Sequence, residues 1–176
     1  MAKQPIILIS FLALFSCETN AQKLNITTIY SEPKRSTKEV PETGAVYNYT
    51  TRKEVTERFS PTIVMISKNA EILKFRIQGN ISSGGHNINR IRKIRFEKGE
   101  QNGNSITLKY YVEIKRIPGK ESADVTGYNY SKDESFKIPN DIKIIKIELY
   151  EDQTNGASGR NPKLIAEQTF NFFARM

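Results

Sequence analysis

Apolar and polar residues alternate in short windows over most of the chain. The windows are separated by turns rich in glycine, asparagine and proline. Because successive side chains of a strand point to opposite faces, a period of two predicts half-buried β-strands. The spacing of an amphipathic helix is missing from every window of about twelve residues. The strand windows lie at Leu24–Tyr30, Ile63–Met65, Leu73–Ile77, Ile94–Phe96, Ile106–Ile114, Asp124–Tyr130, Ile145–Leu149 and Leu164–Phe172.

The clearest of these windows predict a hairpin. One strand ends at Ile94 and Phe96, a polar loop through Asn102-Gly103-Asn104 reverses the chain, and the second strand runs from Ile106 to Ile114. Asn-Gly is a strong turn signal between alternating segments. The intervening side chains are expected to face solvent or a partner, and they are Thr107, Lys109, Tyr111, Glu113 and Lys115.

Seven or eight such strands predict an all-β fold. We expect an antiparallel β-sandwich of immunoglobulin-like or transthyretin-like type. A small barrel or a jelly roll stays open, because strand number alone does not decide closure. The buried tryptophan and the disulfide of immunoglobulin domains are missing, since the chain has one cysteine and no tryptophan.

The N-terminus has the order of a secretory signal. Lys3 precedes a largely apolar stretch, Ile6–Phe15, which is too short for the ~20 residues that span a bilayer. Leu14-Phe15-Ser16-Cys17 resembles a bacterial lipobox. The resemblance implies a signal peptide over residues 1–16 and a lipidated Cys17 that inserts into membrane lipid. The alternative is ordinary cleavage after Ala21, which gives a periplasmic or secreted protein.

The expected cellular location and the domain limits follow from this signal. We expect a lipid-anchored protein of the bacterial cell envelope, with the outer membrane favoured over the inner one. Residues 17–61 are interpreted as an N-terminal tether with a first short strand or strands, and a loop is expected from Ser31 to Gly44. Residues 62–176 are interpreted as the β-sandwich core.

The chain is basic, with 27 Lys and Arg against 19 Asp and Glu. Pairing of the hairpin strands gathers many of these cations on one sheet face. A basic face suits an acidic envelope protein or an anionic envelope polymer. Export separates it from nucleic acid, and few aromatic residues accompany the cations. The candidate binding face consists of Arg90, Arg92, Lys93, Arg95 and Lys109.

Catalytic chemistry finds little support in the sequence. His86 is the single histidine and lies in a polar Gly-rich stretch, so triads and zinc sites are disfavoured. Glu148, Glu151 and Asp152 form the best acidic group, yet their spacing matches no calcium loop. We predict no enzyme activity, no cofactor and no metal.

The sequence therefore predicts a non-enzymatic binding or accessory component of an envelope or secretion assembly. Two alternatives stay open. An immunity-type or inhibitor lipoprotein would block an enzyme. A carbohydrate-binding module would stack sugars on tyrosine rings. The candidate rings are Tyr47, Tyr49, Tyr110, Tyr111, Tyr128 and Tyr130.

Overall fold

The computed structural model describes residues 23–84, 86–154 and 162–172. Over these residues the chain forms nine strands in two sheets, and no helix. The all-β prediction is confirmed. The signal segment and Cys17 lie outside the described residues. The strands are β1 (Asn25–Val40), β2 (Ala45–Glu54), β3 (Thr62–Lys68), β4 (Ile72–Ser82), β5 (Asn87–Asn102), β6 (Ser105–Pro118), β7 (Val125–Lys137), β8 (Ile144–Thr154) and β9 (Lys163–Asn171).

One sheet has the order β2-β1-β7-β4-β3 and the other the order β5-β6-β8-β9. All pairs are antiparallel except β6 with β8, which is parallel. The expected purely antiparallel arrangement is wrong at this pair. After β6 the chain leaves for the first sheet, forms β7, and returns as β8 beside β6. Parallel neighbours need such a long crossover connection, and here a strand of the other sheet supplies it.

The two sheets share one hydrophobic core. Its central layer comes from alternate residues of β4 and β6, as the alternation predicted. The Phe75 and Tyr110 rings meet edge to face with centroids 5.7 Å apart, a favoured aromatic geometry. Fully buried aliphatic side chains surround this contact, and they are Leu73, Ile77, Ile106, Leu108, Val112, Ile145, Ile147 and Leu149.

The predicted loop from Ser31 to Gly44 is wrong. β1 continues to Val40, and β2 pairs with it antiparallel from Ala45 to Glu54. The turn between them ends at Gly44, whose φ of 64° lies in the left-handed region that glycine tolerates. We call Ser31–Val40 together with Ala45–Glu54 the arm. At the base of the arm the Ser31 N–H bonds the Asp124 carbonyl at 2.7 Å; beyond it, the strand pairing of the described arm residues is between β1 and β2.

Leu164 also lies on a different face from the one predicted. The alternation placed it inside with Ala166 and Phe170, but its side chain is 43% exposed, while Phe170 is buried. A register shift between Leu149 and Tyr150 explains the difference. One extra residue at a bulge moves the following side chains to the opposite face.

Residues 55–61, which we call the strap, connect β2 to β3. They cross the outer face of the first sheet, because these two strands lie at its opposite edges. Two cross-strand neighbours, Asn80 and Asn129, hold this strap. Asn129 accepts from the Phe59 N–H at 2.9 Å and donates to the Glu57 carbonyl at 2.7 Å. Asn80 donates to the Phe59 carbonyl at 2.6 Å.

Asn129→Ala is expected to lower the free energy of unfolding by about 1–3 kcal/mol, because Asn129 is 2% exposed and its loss leaves backbone groups of the strap without partners. Urea denaturation measures the change. The control is Asn48→Ala on the exposed arm, where the cost should stay below about 0.5 kcal/mol. Equal losses in both variants would show that Asn129 does not hold the strap.

Candidate functional site

The hairpin of β5 and β6 brings four of the predicted cations to one face. Arg90 pairs in register with Lys115, Lys93 with Glu113, Arg95 with Tyr111, and Glu97 with Lys109. Directly opposed residues share a face, and these lie on the side away from the core residues of β6. Arg92 is exposed and lies at a register shift between Ile91 and Lys93, so it has no such partner.

Carboxylates interrupt this row of cations. Arg95 lies 3.4 Å from Glu113, 3.9 Å from Asp152 and 3.0 Å from Glu97, and Lys93 lies 3.8 Å from Glu113. Glu113 and Asp152 are buried, at 4% and 1% exposure. The centre of this face, at Lys93 and Arg95, is therefore charge-compensated. Asp152 comes from β8, which the hairpin pattern does not place next to β6.

Aromatic rings fill the centre of the same face. The Arg95 guanidinium lies 4.1 Å from the centroid of the Tyr111 ring, a cation–π contact. Tyr111 and Tyr150 stack with centroids 5.0 Å apart. Tyr150 donates to Glu148 at 2.7 Å, and this hydrogen bond raises the pKa of Tyr150 to about 12. Tyr111 is buried, so its expected exposure to solvent or a partner is wrong.

This arrangement rigidifies the sheet and offers little chemistry. Glu148 and Asp152 lie opposite Lys109 and Glu113 of β6, whereas Glu151 lies opposite the core residue Val112. The three carboxylates therefore do not converge. Burial raises the pKa of Glu151, and Lys163 opposes this effect. Over the described ranges, no group of three or more metal-ligating side chains occurs. His86 lies exposed in a turn.

A different surface stands out on the arm. Every residue of β2 after Ala45 is exposed. Tyr47 is 60% exposed and Tyr49 47%. Both rings lie on one face, because their spacing along the strand is two. Both tyrosines are sugar-stacking candidates on sequence grounds, but the strand that presents them was not predicted.

The two edges of the arm differ in charge. The outer edge of β1 carries Pro33, Lys34, Arg35 and Lys38, which are residues that discourage further strand pairing. β2 has no charged residue from Ala45 to Thr51. It combines aromatic and β-branched residues, which favour strands. Only the β2 edge of the arm is therefore suited to accept another strand.

None of the described residues belongs to a helix long and apolar enough to cross a membrane.

Arg95→Ala is expected to destabilise the domain by about 1–3 kcal/mol, because it leaves the buried Glu113 carboxylate without a close guanidinium. Urea unfolding measures the loss. Arg92→Ala removes a neighbouring exposed cation and serves as the control. Adding Glu113→Gln to Arg95→Ala should recover part of the loss, since the buried charge is then gone. Strictly additive losses would contradict the coupling.

No protein-family model matches this chain, and no curated protein and no solved structure matches it either. Function is therefore inferred from the chain's own geometry. In that geometry, the outer face of the β5-β6-β8-β9 sheet has its central cations, Lys93 and Arg95, paired with carboxylates and the Tyr111 ring covered. The arm has exposed rings and one uncharged strand edge, and it is the stronger candidate site.

Proposed function

We propose that this protein is a non-enzymatic, membrane-tethered lipoprotein of the bacterial envelope that acts as a binding or accessory component of an envelope or secretion assembly. In this proposal Cys17 carries the lipid and the arm carries the partner site. The proposal includes the finer fold class, a mostly antiparallel sandwich of immunoglobulin-like or transthyretin-like type. Two sheets that share one core support that class.

The observation that carries the proposal is the outer edge of β2, which is uncharged from Ala45 to Thr51. A free edge presents unpaired backbone N–H and C=O groups, which bind an extended segment by adding a strand. The partner is therefore an envelope protein that offers an extended, weakly charged segment. Tyr47 and Tyr49 on one face, and Val46 on the other, then provide contacts for alternate side chains of that segment.

The position of the arm fits a tethered protein. Lipidated Cys17 would precede the start of β1 at Asn25 by a short segment, and the arm ends at the other end of the same strand. A strand of 16 residues at about 3.3 Å per residue spans roughly 50 Å. The tip of the arm would thus lie far from the anchored end, where a partner in the envelope space is within reach.

A carbohydrate-binding module is the second candidate. Tyr47 and Tyr49 favour it, because two exposed rings on one strand face can stack on sugars. Tyr110, Tyr111 and Tyr130 are buried and do not contribute. The two candidates make different demands on the arm. Strand addition needs the β2 edge, whereas sugar stacking needs the rings.

Lipidation is tested by intact mass and membrane fractionation after expression in a bacterial host. The wild-type protein is expected to carry acyl groups on Cys17 and to sediment with membranes. Cys17→Ala should be released from them, because several acyl chains together supply the anchor. A soluble wild-type product that begins at Gln22 would overturn the anchor and leave a periplasmic or secreted protein.

Strand addition is tested with a photo-crosslinking residue at Thr50 of β2 or at its register partner Arg35 of β1. The Thr50 probe is expected to give one discrete adduct with an envelope protein, and the Arg35 probe none. Asn48→Lys in the Thr50 background should reduce the adduct about tenfold, because a charge on an edge discourages pairing.

The matched control is Thr37→Lys. Thr37 faces Asn48 across the arm, so this substitution adds the same charge on the neighbouring, protected strand β1. Equal adducts from the Thr50 and Arg35 probes would contradict use of the β2 edge. Adducts with copies of this chain alone would show self-association instead. Loss of polysaccharide binding in Tyr49→Ala, with no protein adduct at Thr50, would favour the carbohydrate module.

A further inference from the structure

A groove opens between the two sheets at the side where β1 and β7 face β5. Its volume is about 220 Å³, and Ile26, Tyr128, Arg90 and Ile91 line it. Ile26 is opposed in register by Tyr130, Tyr128 by Ile81, and Ile91 by Ile114. These three partners are buried in the domain core. The floor of the groove is therefore the side of the domain core that stays open between the edges of the two sheets.

The groove is apolar except at its mouth. Ile26 is 45% exposed, although it lies on the core side of β1. Ile91 and Tyr128 pack against the core and stay partly exposed. A neighbouring cleft of about 420 Å³ follows along the same strands, but small and polar residues such as Ser82, Asn89 and Thr126 line it. The apolar part is therefore short.

Arg90 supplies a cation at this apolar site. Among the described residues it takes part in none of the ion pairs that hold Lys93 and Arg95. Its register partner is Lys115, a second cation. Glu121 accepts hydrogen bonds from the Ser83 hydroxyl at 3.0 Å and from the Tyr128 hydroxyl. Glu121 is thus already bound by two donors, and the Arg90 guanidinium has capacity for an anion.

Burial and the bond to Glu121 raise the pKa of Tyr128, and Arg90 opposes this shift. Tyr128 therefore stays neutral at physiological pH and adds no negative charge to the groove. Its ring faces the same space as the two isoleucines. An apolar floor, edged by a guanidinium that has no ion pair within the described part of the chain, is complementary to a molecule that has one apolar chain and one anionic head.

We propose that this groove binds a single-chain anionic amphiphile, with the apolar chain on Ile26, Ile91 and Tyr128 and a carboxylate or phosphate head on Arg90. Its volume lies below the ~300 Å³ at which pockets for drug-sized ligands begin, so a short single chain fits and a two-chain lipid does not. The site is separate from the arm, and it holds whether or not the arm binds a partner.

The test is isothermal titration calorimetry of the full chain carrying Cys17→Ala, which removes any acyl groups of its own. The probes are decanoate, decyl phosphate and the neutral decanol, each below its aggregation concentration. Saturable one-to-one binding of an anionic probe is expected, with decanol about tenfold weaker or more, because a charge-assisted contact is missing. The tighter of the two anions identifies the head group.

Arg90→Gln should weaken decanoate binding about tenfold or more and remove the preference over decanol. Arg92→Gln is the matched control, because Arg92 is an exposed cation of the same strand outside the groove lining. Ile91→Asn should weaken all three probes. Circular dichroism melting checks that each variant folds. Equal affinity for decanoate and decanol, equal losses in Arg90→Gln and Arg92→Gln, or no saturable binding would overturn the proposal.

Discussion

Phe75 of β4 packs edge-on against Tyr110 of β6, and buried aliphatic side chains on both strands extend this contact into one layer between the two sheets. The remaining elements are positioned by that layer. β6 takes β5 and β8 as neighbours, β4 takes β3 and β7, and β1 joins through β7. The arm begins where β1 leaves β7, so it lies outside the core. This constraint explains why the first part of β1 belongs to the packed sheet and its second part to the exposed arm.

The alternation of apolar and polar residues predicted the strands that pack on the core. The hairpin of β5 and β6 and the inward side of β4 were predicted because one face of each strand is buried and the other is polar. The arm was missed because neither of its faces packs on the core, so its residues show no apolar side. β2 is the strand that the predicted seven or eight lacked, and Gly44 is the turn residue that marks it.

The hairpin pattern alone did not predict which residues are buried on the outer face of the β5-β6-β8-β9 sheet. Tyr111 and Glu113 alternate with core residues and were expected to face solvent or a partner, yet Arg95 and Tyr150 cover the Tyr111 ring. Tyr150 and Asp152 arrive from β8 through a parallel crossover, a non-local pairing that alternation does not encode. The same limit applies to charge. The hairpin pattern predicts where the cations lie, but the carboxylates that pair with them come partly from another strand.

Edge protection supplies the last argument for the arm. β5 is charged along much of its length and carries two register shifts. β3 exposes Val64, Met65 and Ile66, but a register shift lies between Met65 and Ser67, and Lys68 bonds the Asn171 carbonyl across to the other sheet. These features discourage strand addition. β2 has none of them from Ala45 to Thr51, although its partner β1 carries four charges and a proline opposite or beside that segment. A uniform need for solubility would protect both strands of the arm alike, so the difference between them supports the proposed pairing of a partner with β2.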